Sequence, residues 1–159
     1  MPNWIEGTLK LRGKREDIRK FFREGLQPSD WPKPEDRIGQ IIDCSLEDEL
    51  YFKFNHEPHI AGTRRAFITD KSAVMTEESG VVCVNVKQAL AFYAGSDSND
   101  LKTWKDISDK YNVDIKLYGI ERGMEFTQEI IILRGEKPIV NERRYEDWDW
   151  DCPFPNIGG

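Results

Sequence analysis

The chain has 159 residues with 29 acidic against 23 basic side chains, a formal charge of −6, and 33% of its residues are charged. Its 8 Phe, 5 Tyr and 5 Trp exclude a disordered chain, which lacks the aromatic mass that builds a core. The length suits one domain burying roughly 70% of its unfolded surface, and no apolar run reaches the 18 or more residues of a membrane span.

Trp4 to Arg12 alternates as a strand, with Ile5, Gly7, Leu9 and Leu11 on one face and Glu6, Thr8 and Lys10 on the other. After Gly13 the period changes: Ile18, Phe21, Phe22 and Leu26 recur at helical spacing, and Gly25 stands where that helix should end. Lys14, Arg15, Arg19, Lys20 and Arg23 occupy the other side of this helix. Between Lys10 and Glu24 there are seven basic side chains against three acidic ones, so the acidic excess lies elsewhere in the chain.

Gln27 to Gly39 contains Pro28, Pro32 and Pro34, which exclude a helix interior or a central strand, and Trp31 is expected to anchor this loop. Short strands are expected at Ile38 to Cys44, Leu50 to Phe54, Arg64 to Thr69 and Val81 to Tyr93, although Gln88 to Tyr93 suits a helix equally well. Ser98 is an expected N-cap for a helix from Asn99 to Tyr111 that gathers Leu101, Trp104, Ile107 and Tyr111 on one side, with Asn112 as a left-handed terminator. Strands then follow over Val113 to Glu121, Glu125 to Leu133 and Ile139 to Tyr145, joined by turns at Arg122-Gly123 and Gly135.

The fold class expected from this order is α+β: helices on one face of a mainly antiparallel sheet, in a single domain over 1–159 in which 27–95 forms an insertion or subdomain. No apolar stretch follows Met1 as in a secretory leader, and Cys44, Cys83 and Cys152 form no close pair. A cytoplasmic protein in a reducing compartment is therefore expected.

Chemistry-bearing patterns are few. His56 and His59 are the two histidines, three residues apart, and would need Cys44, Glu57 or Asp151 beside them to make a zinc site. No nucleophile sits in a recognised elbow, and Gly7 and Gly13 are not followed by the Lys-Ser/Thr of a phosphate loop. The expectation is a protein that is not an enzyme and holds neither metal nor cofactor. Glu146, Asp147, Trp148, Asp149, Trp150 and Asp151 alternate acids with indoles. Read as an extended segment, they put Asp147, Asp149 and Asp151 on one edge and the two Trp on the other. Such an edge is a solvated surface with the indoles packed inward, a track of carboxylates that imitates phosphates and enters an Arg-rich groove, or a set of carboxylate oxygens around Mg²⁺ or Ca²⁺, although the segment lacks an EF-hand pattern. The acidic balance disfavours non-specific binding to nucleic acid or an anionic membrane and favours basic partners.

Met1-Pro2-Asn3-Trp4, then Gly7-Thr8-Leu9-Lys10-Leu11-Arg12-Gly13 and the helix with Ile18 and Phe21, resemble the opening of small phage and prophage proteins of the Api-like family. Trp104 to Phe126, with Tyr111, Tyr118, Glu121, Gly123 and Phe126, is similar to that family's helix, strand and hairpin. Ile5 replaces the cysteine usual there. The resemblance implies a ferredoxin-like core of two helices on one sheet face and an origin in a phage or prophage; it implies no catalytic residues. With the acidic surface it leads to the expectation of an accessory protein that binds and inhibits a bacterial host protein with a basic nucleic-acid groove, such as a CRISPR nuclease. The partner-binding residues would be Glu146 to Asp151. Two alternatives stay open: a module sequestering a small ligand or nucleotide, and a nucleic-acid-binding protein using the basic helix from Lys14 to Arg23.

Overall fold

A computed structural model describes residues 3–28, 40–76 and 80–158. The chain order is β1 (Trp4–Arg12), α1 (Arg15–Glu24), β2 (Leu26–Gln27), β3 (Ile41–Asp43), β4 (Glu49–Phe54), β5 (His59–Ile60), β6 (Ala66–Ile68), β7 (Ser72–Thr76) and β8 (Val81–Ala89). It continues with α2 (Asp100–Tyr111), β9 (Asp114–Glu121), β10 (Phe126–Ile132), β11 (Ile139–Arg144) and the short α3 (Trp148–Asp151). The protein is therefore mixed α+β. Its eight-stranded sheet has the order β11-β10-β9-β1-β8-β6-β5-β2, beside a three-stranded sheet β3-β4-β7, and every pairing is antiparallel. This is larger than the two-helix sheet expected. The middle of the chain supplies the second sheet and the strands on one side of β1, and the last third supplies those on the other.

β1 sits at the centre because it can bury one face and pair along both edges. Its Ile5, Leu9 and Leu11 join Val82, Val84 and Val86 of β8 and Ile115 and Leu117 of β9 in one buried cluster. Gly7 faces Gly119, and a side-chain carbon at Gly7 would lie 1.9 Å from the Tyr118 carbonyl, so the two central strands approach where neither residue has a side chain. α1 and α2 close this face. Phe21 meets Tyr111 edge-on at 5.5 Å, and Phe22 stacks on Phe52 of β4 at 5.2 Å, tying the second sheet to the first helix. Asn112 Nδ2 donates to Asp17 across the helix pair at 3.0 Å.

Gly25 ends α1, its N–H donating to the Phe21 carbonyl, and Asn112 ends α2 at φ 53°, ψ 46°, both where the sequence puts them. Ser98 is not the N-cap of α2. That position falls to Asn99, while the Ser98 hydroxyl donates to the Gly95 carbonyl one turn earlier. Gln88 and Ala89 continue β8 as strand, and Leu90, at φ 69°, turns the chain out of the sheet. The anchoring role expected of Trp31 concerns a residue outside the described set.

Candidate functional site

The C-terminal acidic segment is not extended. Asp147 caps a helical turn, its Oδ1 accepting from the Trp150 N–H at 3.3 Å, and the Asp151 N–H donates to the Asp147 carbonyl at 2.8 Å. The turn separates the two indoles. Trp148 is 6% exposed, packed on Ile120, Cys152 and the Tyr145 ring, and its Nε1 donates to the Pro155 carbonyl at 3.0 Å. Trp150 is 86% exposed. The expected two-edged arrangement fails because Trp148 finds apolar cover on β9 and a partner for its N–H in the tail, so one indole holds the turn and the other projects. Glu146, Asp149 and Asp151 face solvent and form no ion pair among the described residues. The tail is fastened at Gly158, at φ 83°, where a side-chain carbon would lie 2.3 Å from the Ile120 carbonyl.

The basic helix is largely engaged in the fold. Asp43 of β3 accepts from Arg19 Nε at 2.9 Å and lies 3.3 Å from Arg23 Nε. Burial pushes the Asp43 carboxyl up, but the Ser45 hydroxyl and backbone N–H, with Arg19, outweigh it and hold it below the ordinary carboxylate value. Arg15 approaches Glu16 at 3.9 Å, whereas Lys14 and Lys20 are exposed. Arg19 and Arg23, part of what looks like a free basic face in sequence, therefore clamp α1 to the second sheet.

His59 faces the Thr63 carbonyl through Nε2 at 3.1 Å and Gln27 through Nδ1 at 3.4 Å. His56 is exposed. Among the described residues no three His, Cys, Asp or Glu side chains gather in a way that would hold a metal ion.

The residues that sequence reasoning missed lie on the other face of the large sheet. Strand alternation sends Trp4, Glu6, Thr8, Lys10 and Arg12 of β1 away from the core. Register sets Lys10 beside Lys116 of β9 and Cys83 of β8, Thr8 beside Tyr118 and Asn85, and Glu6 beside Lys87. Phe67 of β6 pairs with Lys87 and with His59 of β5. The Trp4 and Phe67 rings lie 6.2 Å apart; Arg65 and Lys87 stand 5.2 and 5.5 Å from the Trp4 ring centre. Lys87 also contacts Glu57 at 2.5 Å.

Two adjoining grooves cross this face. One, of about 540 Å³, lies between Trp4, Phe67 and the loops carrying His56 and Asp70. The other, of about 590 Å³, runs past Thr8 and Asn85 to Tyr118 and the tail residues Phe154 and Ile157. Asp70 accepts from both the backbone N–H and the side-chain amide of Asn85, at 2.7 and 2.8 Å, and fixes the shared wall. Burial raises the Tyr118 hydroxyl above its ordinary value, with Thr127 opposing and the neighbouring Tyr145, Cys152 and Glu129 reinforcing the shift. At the far end of the face Asp114 accepts from Arg12 at 2.8 Å and from the side chain and backbone of Arg134. Burial pushes the Asp114 carboxyl up, but these hydrogen bonds and the Arg134 charge bring it below the ordinary range.

Comparison with family models, with curated proteins and with solved structures gave no match for this chain. Among the described residues no helix is long and apolar enough to cross a membrane.

Proposed function

We propose that this protein acts by binding another protein, docking its C-terminal acidic turn against a cationic surface with Trp150 as the anchor. The observation that carries this reading is the division of labour between the two indoles. Trp148 is consumed by the fold, while Trp150, at 86% exposure, stands between Asp149 and Asp151 with no packing role. A large solvent-facing indole is the residue type that dominates interface energetics, and the carboxylates beside it match an arginine-rich groove in sign. The acidic net charge speeds the approach of such a partner. The resemblance to Api-like phage proteins makes the partner a bacterial nucleic-acid-handling effector, a CRISPR nuclease among them, held inactive by occupation of the groove that its nucleic acid needs.

The same reading takes the inner part of the sheet as a ferredoxin-like core. It is supported by the succession β1-α1-β6-β8-α2-β9 and by the order β9-β1-β8-β6, in which β8 and β9 run in the same direction on either side of β1. On this view residues 27 to 65, β7 and the hairpin β10-β11 are additions to that core.

The test is affinity capture from a bacterial lysate by the wild type and by a variant carrying Trp150→Ala, Asp149→Asn and Asp151→Asn. A stoichiometric protein retained by the wild type and lost from the variant, with both proteins equally stable, supports the reading. Equal retention by the two proteins overturns the role of the turn. Asp147 is left intact because it caps the helix.

A further inference from the structure

We infer that the open face of the large sheet, beside the C-terminal turn that packs on Ile120, is a binding surface for single-stranded nucleic acid, distinct from the helix that the sequence singles out for that role. Three observations converge on it. The first is charge. On the outward positions of β1, β8, β9, β10 and β11 there are five cations (Lys10, Arg12, Lys87, Lys116 and Arg143) against three anions (Glu6, Asp114 and Glu129). The cationic end of the face is where Lys10, Arg12 and Lys116 meet; Glu57 and Asp70 line the larger grooves, and the acidic turn packs on Ile120, four residues further along β9 from Lys116.

The second observation is a pairing that the fold alone does not favour. Lys10 and Lys116 stand directly opposite each other across β1 and β9. Like charges in that position destabilise a sheet. Lys116 is relieved by Glu129 at 3.1 Å, but Lys10 has no ion-pair partner among the described residues. With Arg12 and its partner Asp114 these lysines line a recess of about 270 Å³ whose other walls are the apolar side chains of Val81, Ile115, Ile131 and Leu133. An anionic backbone is the occupant that relieves the repulsion.

The third is the aromatic end of the same strand. From Lys10 to Trp4 the distance along β1 is roughly 20 Å at about 3.4 Å per residue. There the Trp4 and Phe67 rings, flanked by Arg65 and Lys87, form a platform beside the larger grooves. A cationic track joined to side-chain rings is how proteins hold single strands without reading their sequence: phosphates follow the charges and bases lie on the rings. Thr8 and Glu6, between the two ends, carry hydrogen-bonding groups on this side of β1. A duplex suits this surface poorly, because its bases are already stacked and closed to the platform. A basic peptide is disfavoured by Lys10, Lys116 and Arg12.

The experiment is fluorescence anisotropy of the full chain with a labelled mixed-sequence 10-nucleotide RNA, and with the DNA of the same sequence, from 20 to 200 mM salt. Expected is saturable binding whose logarithm falls with the logarithm of salt by about 2, as about three phosphate contacts on a single strand require. Lys10→Gln with Lys116→Gln should lower that slope. Phe67→Ala should weaken binding about 5- to 150-fold with the slope unchanged, the loss that removal of one stacked base entails. Lys14→Gln with Lys20→Gln, on the exposed side of α1, should leave both unchanged. Preference for RNA over DNA would assign the surface to RNA, and equal binding to either strand. Absence of binding to both strands at 20 mM salt overturns the proposal, as does loss through the α1 pair alone or equal binding of an aromatic-free polyanion such as inorganic polyphosphate. Trp150→Ala serves as the link to the protein-docking reading, because it should not alter oligonucleotide binding whether or not that reading holds.

Discussion

Gln88 gives the sharpest test of how the core is built. It lies on the inward face of β8, between Ile5 of β1 and Ala66 of β6, in line with Val82, Val84 and Val86, and it is 0% exposed. Among the described residues neither its Oε1 nor its Nε2 has a hydrogen-bond partner. A buried polar group left unpaired costs about 1–3 kcal/mol relative to its hydrated state. Methionine has a similar unbranched shape and no such cost, and swaps that conserve volume in a core usually cost under about 1.5 kcal/mol. Gln88→Met should therefore stabilise the protein by about 1 kcal/mol and raise its melting temperature by about 2–4 °C, the shift typical for a domain of this length. The measurement is urea unfolding followed by circular dichroism, with the gain appearing as a higher midpoint at constant slope. Gln88→Ala serves as the contrast, because it removes the same polar group but leaves a cavity and should be less stable than Gln88→Met by about 2 kcal/mol or more. Should Gln88→Met lose more than about 1 kcal/mol, the amide is bonded in solution and the reasoning is wrong.

The remaining predictions concern the charged clamps and the two indoles. Asp43 and Asp114 are both held below their ordinary values in the folded state, so the stability they confer is complete above the unfolded carboxylate range and disappears as pH falls through their folded values. Asp114→Ala should cost about 2 kcal/mol at pH 7, with the gap to wild type narrowing below about pH 4; a gap that persists unchanged at pH 2 to 3 in urea titrations would contradict this. Trp148→Ala should cost about 3–5 kcal/mol, as expected for a buried indole, whereas Trp150→Ala should stay within about 0.5 kcal/mol of wild type in the same unfolding assay. Equal effects would mean that the turn is not built as described.

Much of the fold is legible in the residues, and the reason can be seen element by element. β1, α1, α2 and β9 each carry a clear apolar period, and Gly25 and Asn112 mark ends that few other residues tolerate. β2 and β5 are two residues long, too short for any period, and Ser72 to Thr76 shows its strand character only once paired with β4. The acidic segment misleads for a different reason. Its alternation suits an extended chain, but its conformation is decided by Ile120 and Pro155, which cover and satisfy Trp148. The open face was half visible. The outward row from Glu6 to Lys10 can be read from β1 alone, but its partners Phe67, Lys87 and Lys116 come from distant parts of the chain. The basic side of α1 reads as wholly solvent-facing until Asp43 arrives from another sheet to pair with Arg19 and Arg23.

The central position of β1 has a consequence for the order of events as the chain is made. Its two sheet neighbours begin at Val81 and end at Glu121, so β1 is flanked by two strands that are made after it. At 5–20 residues per second, roughly 5–20 s pass between the emergence of Arg12 and that of Glu121. Until β8 emerges β1 has neither edge paired, and until β9 emerges it has at most one; a topology so dependent on distant pairings folds slowly once complete. Glu6, Lys10 and Arg12, whose charges blunt association between exposed strand edges, guard the nascent strand through this delay. The outward row of β1 thus has work to do before there is a sheet for it to cover.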